Sequence, residues 1–159
     1  MTLSKRGDYV VRSAIALARA LERGNAIKIR EVVADTKVPT TFASQILADL
    51  VRAGLASSKA GRDGGYRLER PPEEITVLEV VEAAEGPLRA ERCALAEGPC
   101  RWDAVCPLHE TWSAATAALR EVLAATTLAD LAQRDRLIEG GAYAVPVDSH
   151  RGGRSTRDR

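Results

Sequence analysis

Three cysteines and one histidine lie within seventeen residues of this 159-residue chain. Six residues separate Cys93 from Cys100, five separate Cys100 from Cys106, and His109 follows three positions after Cys106. Three thiolates and an imidazole suit a tetrahedral structural zinc site. They also suit an iron–sulfur cluster in which one ligand is not a cysteine. The spacing is looser than in a paired C-x-x-C zinc ribbon, so it favours a cluster over zinc, with unligated redox thiols as a further alternative.

Composition limits the classes of protein that this chain can belong to. Apolar residues make up 45% and charged residues 28%, which is an ordinary balance for a globular domain. An odd number of cysteines without an export signal argues against a disulfide scaffold. No apolar run approaches the roughly 18 residues that a membrane span needs. We therefore expect a cytoplasmic globular protein without membrane contacts.

The sequence carries no recognisable catalytic apparatus. It has no serine–histidine pair in a familiar context, no H-E-x-x-H motif and no Walker or dinucleotide fingerprint. Its carboxylates lie on predicted helix faces, where solvation is their usual role. We therefore expect no enzymatic activity and no small-molecule substrate.

Charge is distributed unevenly along the chain. Residues 1–72 hold 13 Lys and Arg against 7 Asp and Glu, whereas residues 73–126 hold 4 against 10. The first half is therefore basic although the net charge of the whole chain is only +1. Such asymmetry indicates that the first half faces a polyanion.

The basic half has the pattern of a helix-turn-helix unit, with predicted helices over residues 5–22, 29–35 and 40–53. The third helix has two different faces. Its predicted apolar face contains Phe42, Ile46, Leu47, Leu50 and Val51. Its predicted polar face contains Thr41, Ser44, Gln45, Ala48, Asp49 and Arg52. Small hydrogen-bonding residues in the first two turns are typical of a helix that enters the major groove with its N-terminal end first.

A predicted hairpin follows the third helix directly. Residues 55–59 and 66–68 have strand character, and a glycine-rich turn with Arg62 at its tip joins them. A hairpin in this position is a wing, and a long cation on a narrow ribbon suits a minor groove. The fold class expected is therefore mainly α with a small β-hairpin wing, a winged helix-turn-helix plus a long dimerisation helix.

The C-terminal half supplies that dimerisation helix. A fourth helix is predicted over residues 76–84, a fifth over residues 108–126, and a short final helix begins after Thr127. Trp112, Ala115, Leu119 and Val122 repeat at spacings of 3, 4 and 3 along the fifth helix, which is the pattern of a two-helix seam. We expect a DNA-binding domain over residues 1–72, a cysteine loop and dimerisation helices over 73–138, and a disordered tail over 139–159.

Several motifs together resemble the Rrf-type winged-helix transcriptional regulators. They are Leu3-Ser4-Lys5 with Gly7-Asp8-Tyr9, Val38-Pro39, the wing over residues 61–68, the cysteine triplet, and the segment over residues 126–131. The resemblance covers residues 3–132. It implies a homodimeric DNA-binding regulator, expected to be a repressor, that dimerises through the long helix and carries a cluster on its cysteine loop.

The resemblance also implies a set of cluster ligands. Cys93, Cys100 and Cys106 align with the ligand cysteines of the family, although the first spacing is longer than usual. His109 matches the histidine of family members that hold a [2Fe–2S] cluster. Asp8 matches a carboxylate that the family's nitric-oxide sensor supplies to a [4Fe–4S] cluster across its dimer. We expect His109 as the fourth ligand and therefore favour a [2Fe–2S] cluster over a [4Fe–4S] cluster.

The expected partner is double-stranded DNA with a palindromic operator. Thr41, Ser44 and Gln45 are the expected base readers, because an amide such as that of Gln45 pairs with the edge of adenine. Side chains expected to hold phosphates are those of Lys28, Thr40, Arg52 and Lys59. Arg62 is expected in the minor groove, with Asp63 and Gly64 beside it.

Three other interpretations are consistent with the residues. The first is a DNA-binding protein that zinc stabilises and that senses nothing. The second is a redox repressor whose cysteines are oxidised directly. The third is an interaction module whose winged domain contacts proteins.

Overall fold

The computed structural model describes residues 3–62, 64–89, 101–102 and 104–144, and it has the expected mainly α architecture with one hairpin. The elements are α1 (Lys5–Glu22), α2 (Ile29–Thr36), α3 (Thr40–Arg52), β1 (Ala56–Lys59), β2 (Gly65–Leu68), a short 3-10 turn (Pro72–Glu74), α4 (Val77–Glu85), α5 (His109–Ala125) and α6 (Leu128–Glu139). None of the helices in these ranges is long and apolar enough to cross a membrane.

Helix α1 is the central element of the fold. Ser4 caps its first turn, because the Ser4 hydroxyl accepts hydrogen bonds from the backbone N–H groups of Arg6 (3.1 Å) and Gly7 (3.3 Å). Fully buried side chains such as Val10 and Leu17 follow along the helix. Helices α2, α3, α4 and α6 all pack against α1, so a single apolar core holds the DNA-binding region and the C-terminal helices together.

The turn between α2 and α3 sets the angle of the third helix. Lys37 adopts a left-handed conformation (φ 59°) and ends α2. The Thr36 hydroxyl donates to the carbonyl oxygen of Val32 (2.6 Å) and accepts from the backbone N–H of Val38 (3.3 Å). Val38 is buried directly after the turn, and this anchors the start of α3.

Two expectations about the faces of α3 were wrong. Phe42 was expected in the apolar face, but it is 45% exposed and contacts Tyr9 edge-to-face, with ring centroids 5.5 Å apart. Asp49 was expected in the polar face, but it is only 2% exposed. The side chains of Arg6 and Arg52 compensate its buried charge, and a helical pattern read from α3 alone contains no information about Arg6, which is 43 residues away.

The wing is an antiparallel pair of strands, and the loop between α1 and α2 forms a further bridge to its second strand. Ala56 pairs with Leu68 at its base and Lys59 pairs with Gly65 at its far end. Ile27, in the loop between α1 and α2, forms a two-bond bridge with Tyr66 (N···O distances of 2.9 and 2.8 Å). The hairpin is therefore attached to the helical body along β2.

The two ends of the C-terminal helical segment meet in the structure. Thr76 and Thr127 form an antiparallel bridge, with hydrogen bonds from Val77 N to Thr126 O (2.9 Å) and from Leu128 N to Ile75 O (2.8 Å). The chain thus returns after α5 to the point from which α4 began. Helix α6 then packs against α1 and, with 12 residues, is longer than the short helix expected.

Candidate nucleic-acid interface and cysteine segment

The first two turns of α3 present a row of exposed polar side chains. Thr41, Ser44 and Gln45 are exposed there, whereas Ala43 and Ile46 on the other side of the helix are buried in the core. The helix N-terminus begins at Pro39, whose carbonyl accepts from the N–H groups of residues 42 and 43. The exposed row is what a helix needs in order to present hydrogen-bonding groups to base edges.

An ion-pair cluster holds α3 against the start of α1. The Asp49 carboxylate accepts hydrogen bonds from Arg6 through Nε (3.0 Å) and Nη2 (2.5 Å), and from Arg52 through Nη1 (2.8 Å). Asp49 is buried, whereas the side chain of Arg6 is half-exposed and that of Arg52 is 71% exposed. Arg52 therefore keeps N–H groups that face solvent, and it joins the exposed basic surface beside α3.

Side-chain hydrogen bonds add to the attachment of the wing. The Lys28 ammonium donates to the carbonyl oxygen of Arg62 at the wing tip (Nζ···O 2.8 Å). Arg67 in β2 donates through Nη2 to the carbonyl oxygen of Gly24 (2.9 Å). Together with the bridge at Ile27, these bonds connect the hairpin to the α1–α2 loop from its base to its tip.

The glycine pair of the wing is explained by two close backbone approaches. A Cβ atom on Gly64 would lie 2.1 Å from the carbonyl oxygen of Lys59, and one on Gly65 would lie 2.7 Å from the carbonyl oxygen of Ile27. Gly65 also has a φ of +151°, which L side chains rarely adopt. Glycine at position 65 allows β2 to lie against the α1–α2 loop, and glycine at position 64 allows the turn to lie close to the end of β1.

The expected DNA-contacting residues fall into three groups in the structure. Those that are exposed are Thr40, Thr41, Ser44, Gln45, Arg52, Lys59 and Arg62. Lys28 is half-buried and Gly64 is buried. Asp63 lies outside the described residues. The exposed group lies on α3 and on the wing, the two elements with which a winged helix contacts a duplex.

The structure describes part of the cysteine segment, which runs from Cys93 to His109. Cys93 and Cys100 lie outside the described residues, whereas Cys106 and His109 are described and half-buried at the start of α5. The backbone N–H of Cys106 donates to Trp102 O (2.7 Å), and that of His109 donates to Cys106 O (3.1 Å). Within the described ranges, no three Cys, His, Asp or Glu side chains converge as a metal site.

The other candidate ligand, Asp8, lies on α1. Its side chain is 46% exposed and accepts a hydrogen bond from Arg12 one turn later (Oδ1···Nε 2.9 Å). An acidic residue in the first turn of a helix also interacts favourably with the helix dipole. Its position is therefore accounted for within the chain and leaves the carboxylate accessible.

Glu85 connects the end of α4 with the start of α1. It is the last residue of α4, and its Oε1 accepts hydrogen bonds from Ser4 through the backbone N (3.2 Å) and the hydroxyl (2.5 Å). Sequence analysis missed this contact, and it also missed Arg6 as the partner of Asp49. Each partner is more than forty residues distant along the chain, so no local pattern points to it.

Helix α5 packs on α4 along one side only. Thr116 is buried, and Arg120 donates to the Glu82 carboxylate (2.5 Å). The four residues of the expected dimer seam divide between two environments. Trp112 and Leu119 are half-buried toward the body of the protein, whereas Ala115 and Val122 are exposed. Val122 is 63% exposed, and the neighbouring exposed residues are mostly alanines.

A comparison with protein families matches residues 3–134 to the Rrf2 family, described as "Iron-dependent Transcriptional regulator". A relative from Mycobacterium tuberculosis, named "Putative HTH-type transcriptional regulator", is 35% identical over 162 residues, which is 99% of this chain and 95% of that protein.

Two solved structures are similar to the chain as a whole. One is CymR, described as the global cysteine regulator of B. subtilis, with a TM-score of 0.68 and 28% identity, covering 84% of this chain and 98% of that one. The other is IscR of T. potens, with a TM-score of 0.69 and 25% identity, covering 92% and 94%. The fold similarity therefore extends beyond the helix-turn-helix to the C-terminal helices.

Proposed function

Because this chain belongs to the Rrf2 family of transcriptional regulators, we propose that it is a cytoplasmic homodimeric repressor whose DNA affinity is controlled by an iron–sulfur cluster. The relatives are transcriptional regulators and not enzymes. The DNA-binding part rests on the exposed polar row of Thr41, Ser44 and Gln45 on α3. The ion pair between Arg6 and Asp49 holds the buried side of this helix against α1.

In a dimer, two copies of α3 would enter successive major grooves of a palindromic operator. Thr41, Ser44 and Gln45 would contact base edges, and Gln45 has the amide geometry that pairs with adenine. Phosphates would be held mainly by Thr40, Arg52 and Lys59 on the exposed flanks of the groove-facing surface. Arg62, with Asp63 and Gly64 beside it, would reach the minor groove.

The cysteine segment fits an iron–sulfur cluster by the chemistry of its donors. Cys93, Cys100, Cys106 and His109 would hold the cluster, with Asp8 as the alternative fourth ligand and [2Fe–2S] favoured over [4Fe–4S]. Cys106 and His109 begin and end one backbone turn, which brings a thiol and an imidazole to the start of α5. When bound, the cluster supplies a centre that responds to iron, oxidants or nitric oxide.

Contacts of the chain itself support a route from this segment to the helix proposed to read DNA. Glu85 at the end of α4, eight residues before Cys93, accepts a hydrogen bond from Ser4, and Arg6, two residues after Ser4, bonds Asp49 on α3. A rearrangement of the segment that moves the end of α4 would therefore act on the first turn of α1, against which α3 is held. A free-energy difference of a few kcal/mol between two arrangements is enough to change operator occupancy.

Dimerisation is proposed through α5. The exposed flank with Ala115 and Val122 is apolar, and its small side chains allow another helix to approach closely. Trp112 and Leu119 at its edge would extend the contact. A second copy of the same flank would meet it across a two-fold axis, which is the commonest arrangement in homodimers.

A second candidate function is a thiol-based redox repressor without a cluster. It is favoured by the similarity to CymR, of which a Staphylococcus aureus structure is described as the oxidized form (TM-score 0.65). The TM-scores for B. subtilis CymR and T. potens IscR differ by only 0.01. A zinc-stabilised protein that does not sense is the third candidate.

Anaerobic purification with iron, sulfide and zinc analysis separates the three candidates. We expect brown protein that contains iron and sulfide. Colourless protein with free thiols would favour the redox repressor, and protein with zinc alone would favour the structural site.

The DNA-reading assignment is tested with a duplex selected by the purified protein from a random-sequence pool. We expect Gln45→Ala to weaken binding to this duplex by about 1–3 kcal/mol and to relax base preference at one position. Gln133→Ala, an exposed glutamine on α6, serves as the control and should bind like the wild type.

A further inference from the structure

Lys28 makes a contact that its expected role on a phosphate does not require. Its ammonium donates to the carbonyl oxygen of Arg62, 34 residues further along the chain (Nζ···O 2.8 Å). Lys28 is half-buried at the start of α2, whereas the Arg62 side chain is exposed at the wing tip. The bond therefore joins the body of the protein to the residue that carries the expected minor-groove contact.

The bond lies at the end of the hairpin that, among the described residues, has few other hydrogen bonds to the helices. The strands pair only as far as Lys59 and Gly65, and the bridge from Ile27 reaches Tyr66, on the base side of that last pair. Beyond these pairs, the turn contains a backbone hydrogen bond from Gly64 N to Gly61 O (3.1 Å). That bond lies within the turn and does not fix its direction relative to the helices. The hydrogen bond from the Lys28 ammonium to the Arg62 carbonyl oxygen fixes that direction.

We propose that Lys28 is a positioning residue for DNA recognition. It holds the wing tip so that the Arg62 guanidinium is directed at the minor groove, and it does not itself neutralise a phosphate. This inference rests on the proposed DNA-binding function. It assigns different roles to two lysines of equal charge. Lys28 is half-buried and bonded to the wing tip, whereas Lys59 at the end of β1 is exposed and has the position of a phosphate contact.

A double-mutant cycle separates positioning from phosphate contact. Binding would be measured for Lys28→Met and Lys59→Met, each alone and combined with Arg62→Ala, on the duplex that the wild-type protein selects from a random pool. Methionine keeps the apolar stem of lysine and removes the ammonium, so the two lysine variants are matched in chemistry. Affinity would be recorded across a range of salt concentrations, because each lost phosphate contact lowers the salt slope by about one.

We expect Lys28→Met alone to weaken binding roughly tenfold and to reduce the preference for A·T pairs at the operator flanks, as Arg62→Ala does. In the Arg62→Ala background, Lys28→Met should change affinity by less than about twofold and leave the salt slope unchanged, since there is no guanidinium left to position. Lys59→Met should weaken binding equally in both backgrounds and lower the slope in both.

Hydrogen exchange supplies a readout that does not involve DNA. Lys28→Met should speed exchange of the amides of residues 61–64, while the amides of α1 and the midpoint of thermal unfolding stay as in the wild type. Lys59→Met should leave exchange in the turn unchanged.

Three results would overturn the inference. A full loss of affinity with a lower salt slope for Lys28→Met in the Arg62→Ala background would make Lys28 a phosphate contact. Unchanged affinity for Lys28→Met alone, or unchanged exchange in the turn, would show that the bond positions nothing. If the wild-type protein enriches no duplex at all, the proposed DNA-binding function itself fails, and that outcome is distinct from these three.

Discussion

Arg6 in the first turn of α1 and Asp49 on the inner side of α3 form a hydrogen-bonded ion pair (Nη2···Oδ2 2.5 Å). Asp49 is 2% exposed, and its second oxygen accepts from Arg52. A buried carboxylate with both oxygens bonded is strongly dependent on its partners, since losing one leaves an uncompensated charge in the core. The pair therefore links the orientation of α3, the helix proposed to read DNA, to the N-terminal end of the central helix.

The first prediction concerns this pair. Arg6→Ala should lower the free energy of unfolding by about 1–3 kcal/mol, because the Asp49 charge keeps only the exposed Arg52 as a partner. Arg52→Ala should cost less, since Arg6 still donates two hydrogen bonds. Urea denaturation measures both effects, with Arg30→Ala, an exposed arginine on α2, as the control. Equal stability of the Arg6 and Arg30 variants would contradict the prediction.

The second prediction concerns the approach of the wing to the α1–α2 loop. Gly65→Ala should destabilise the protein more than Gly24→Ala. Both glycines have a positive φ, but nothing lies within 4 Å of a Cβ on Gly24, whereas a Cβ on Gly65 meets the carbonyl oxygen of Ile27 at 2.7 Å. We expect a cost of about 1 kcal/mol for Gly24→Ala and about 1–3 kcal/mol more for Gly65→Ala. Thermal and urea unfolding of the two variants give the comparison.

The third prediction concerns dimerisation. Val122→Glu should raise the dimer dissociation constant at least about tenfold, because a carboxylate would be buried in an apolar contact without a partner. Ala117 is also exposed on α5 but lies on the opposite flank of the helix, so Ala117→Glu is the matched control. Sedimentation velocity over a concentration series measures both. Dimers of normal stability with Val122→Glu would exclude this flank as the interface.

The fourth prediction concerns the fourth cluster ligand. After anaerobic cluster reconstitution, His109→Ala should lose most of the visible absorbance of the wild-type protein, whereas Asp8→Ala should retain it. Asp8→Ala should also lose the partly exposed i,i+4 pair with Arg12, worth about 0.3–0.5 kcal/mol of stability. The reverse result, with colour lost on changing Asp8, would assign the carboxylate as the ligand and favour a [4Fe–4S] cluster.

The fifth prediction concerns the pH dependence of the contact between α1 and α6. A hydrogen bond from Arg19 to Glu139 lowers the pKa of that carboxyl below its usual value, although burial opposes the shift. A carboxyl whose pKa is lower in the folded state stabilises the fold above its unfolded pKa, and this contribution is lost as pH falls through the folded pKa.

Glu139→Gln should therefore reduce stability at pH 7 by less than about 1 kcal/mol, since the pair is partly exposed. The difference from the wild type should disappear in strongly acidic solution, where the wild-type carboxyl is also neutral. Glu69→Gln, at an exposed position, is the control. Urea unfolding between pH 7 and pH 3 measures the difference, and a gap that does not change with pH would contradict the assignment.

Much of the fold follows from local signals. A capping serine before α1, the glycines of the wing and the alternation of buried positions along α3 are short-range features, and the structure confirms the helices and the hairpin that they predict. The order of the elements along the chain also predicts the winged arrangement, since a hairpin directly after the third helix has few places to pack.

The errors arose where a side chain has a partner far away in sequence. Asp49 looks like a surface residue by its type, and only the approach of Arg6 makes its burial favourable. Phe42 looks like a core residue by its type, yet at the first turn of α3 it stays largely exposed and contacts the Tyr9 ring at its edge. Ser4 and Glu85 are 81 residues apart, and no local sequence pattern around either residue predicts their contact.

The bridge between Thr76 and Thr127 has an evolutionary consequence. Because the backbone closes on itself there, we expect an insertion or deletion between α4 and α5 to leave α6 packed against α1. The interval between Cys93 and Cys100 lies within this part of the chain. Proteins that share the helical body can therefore diverge in the length of this one segment.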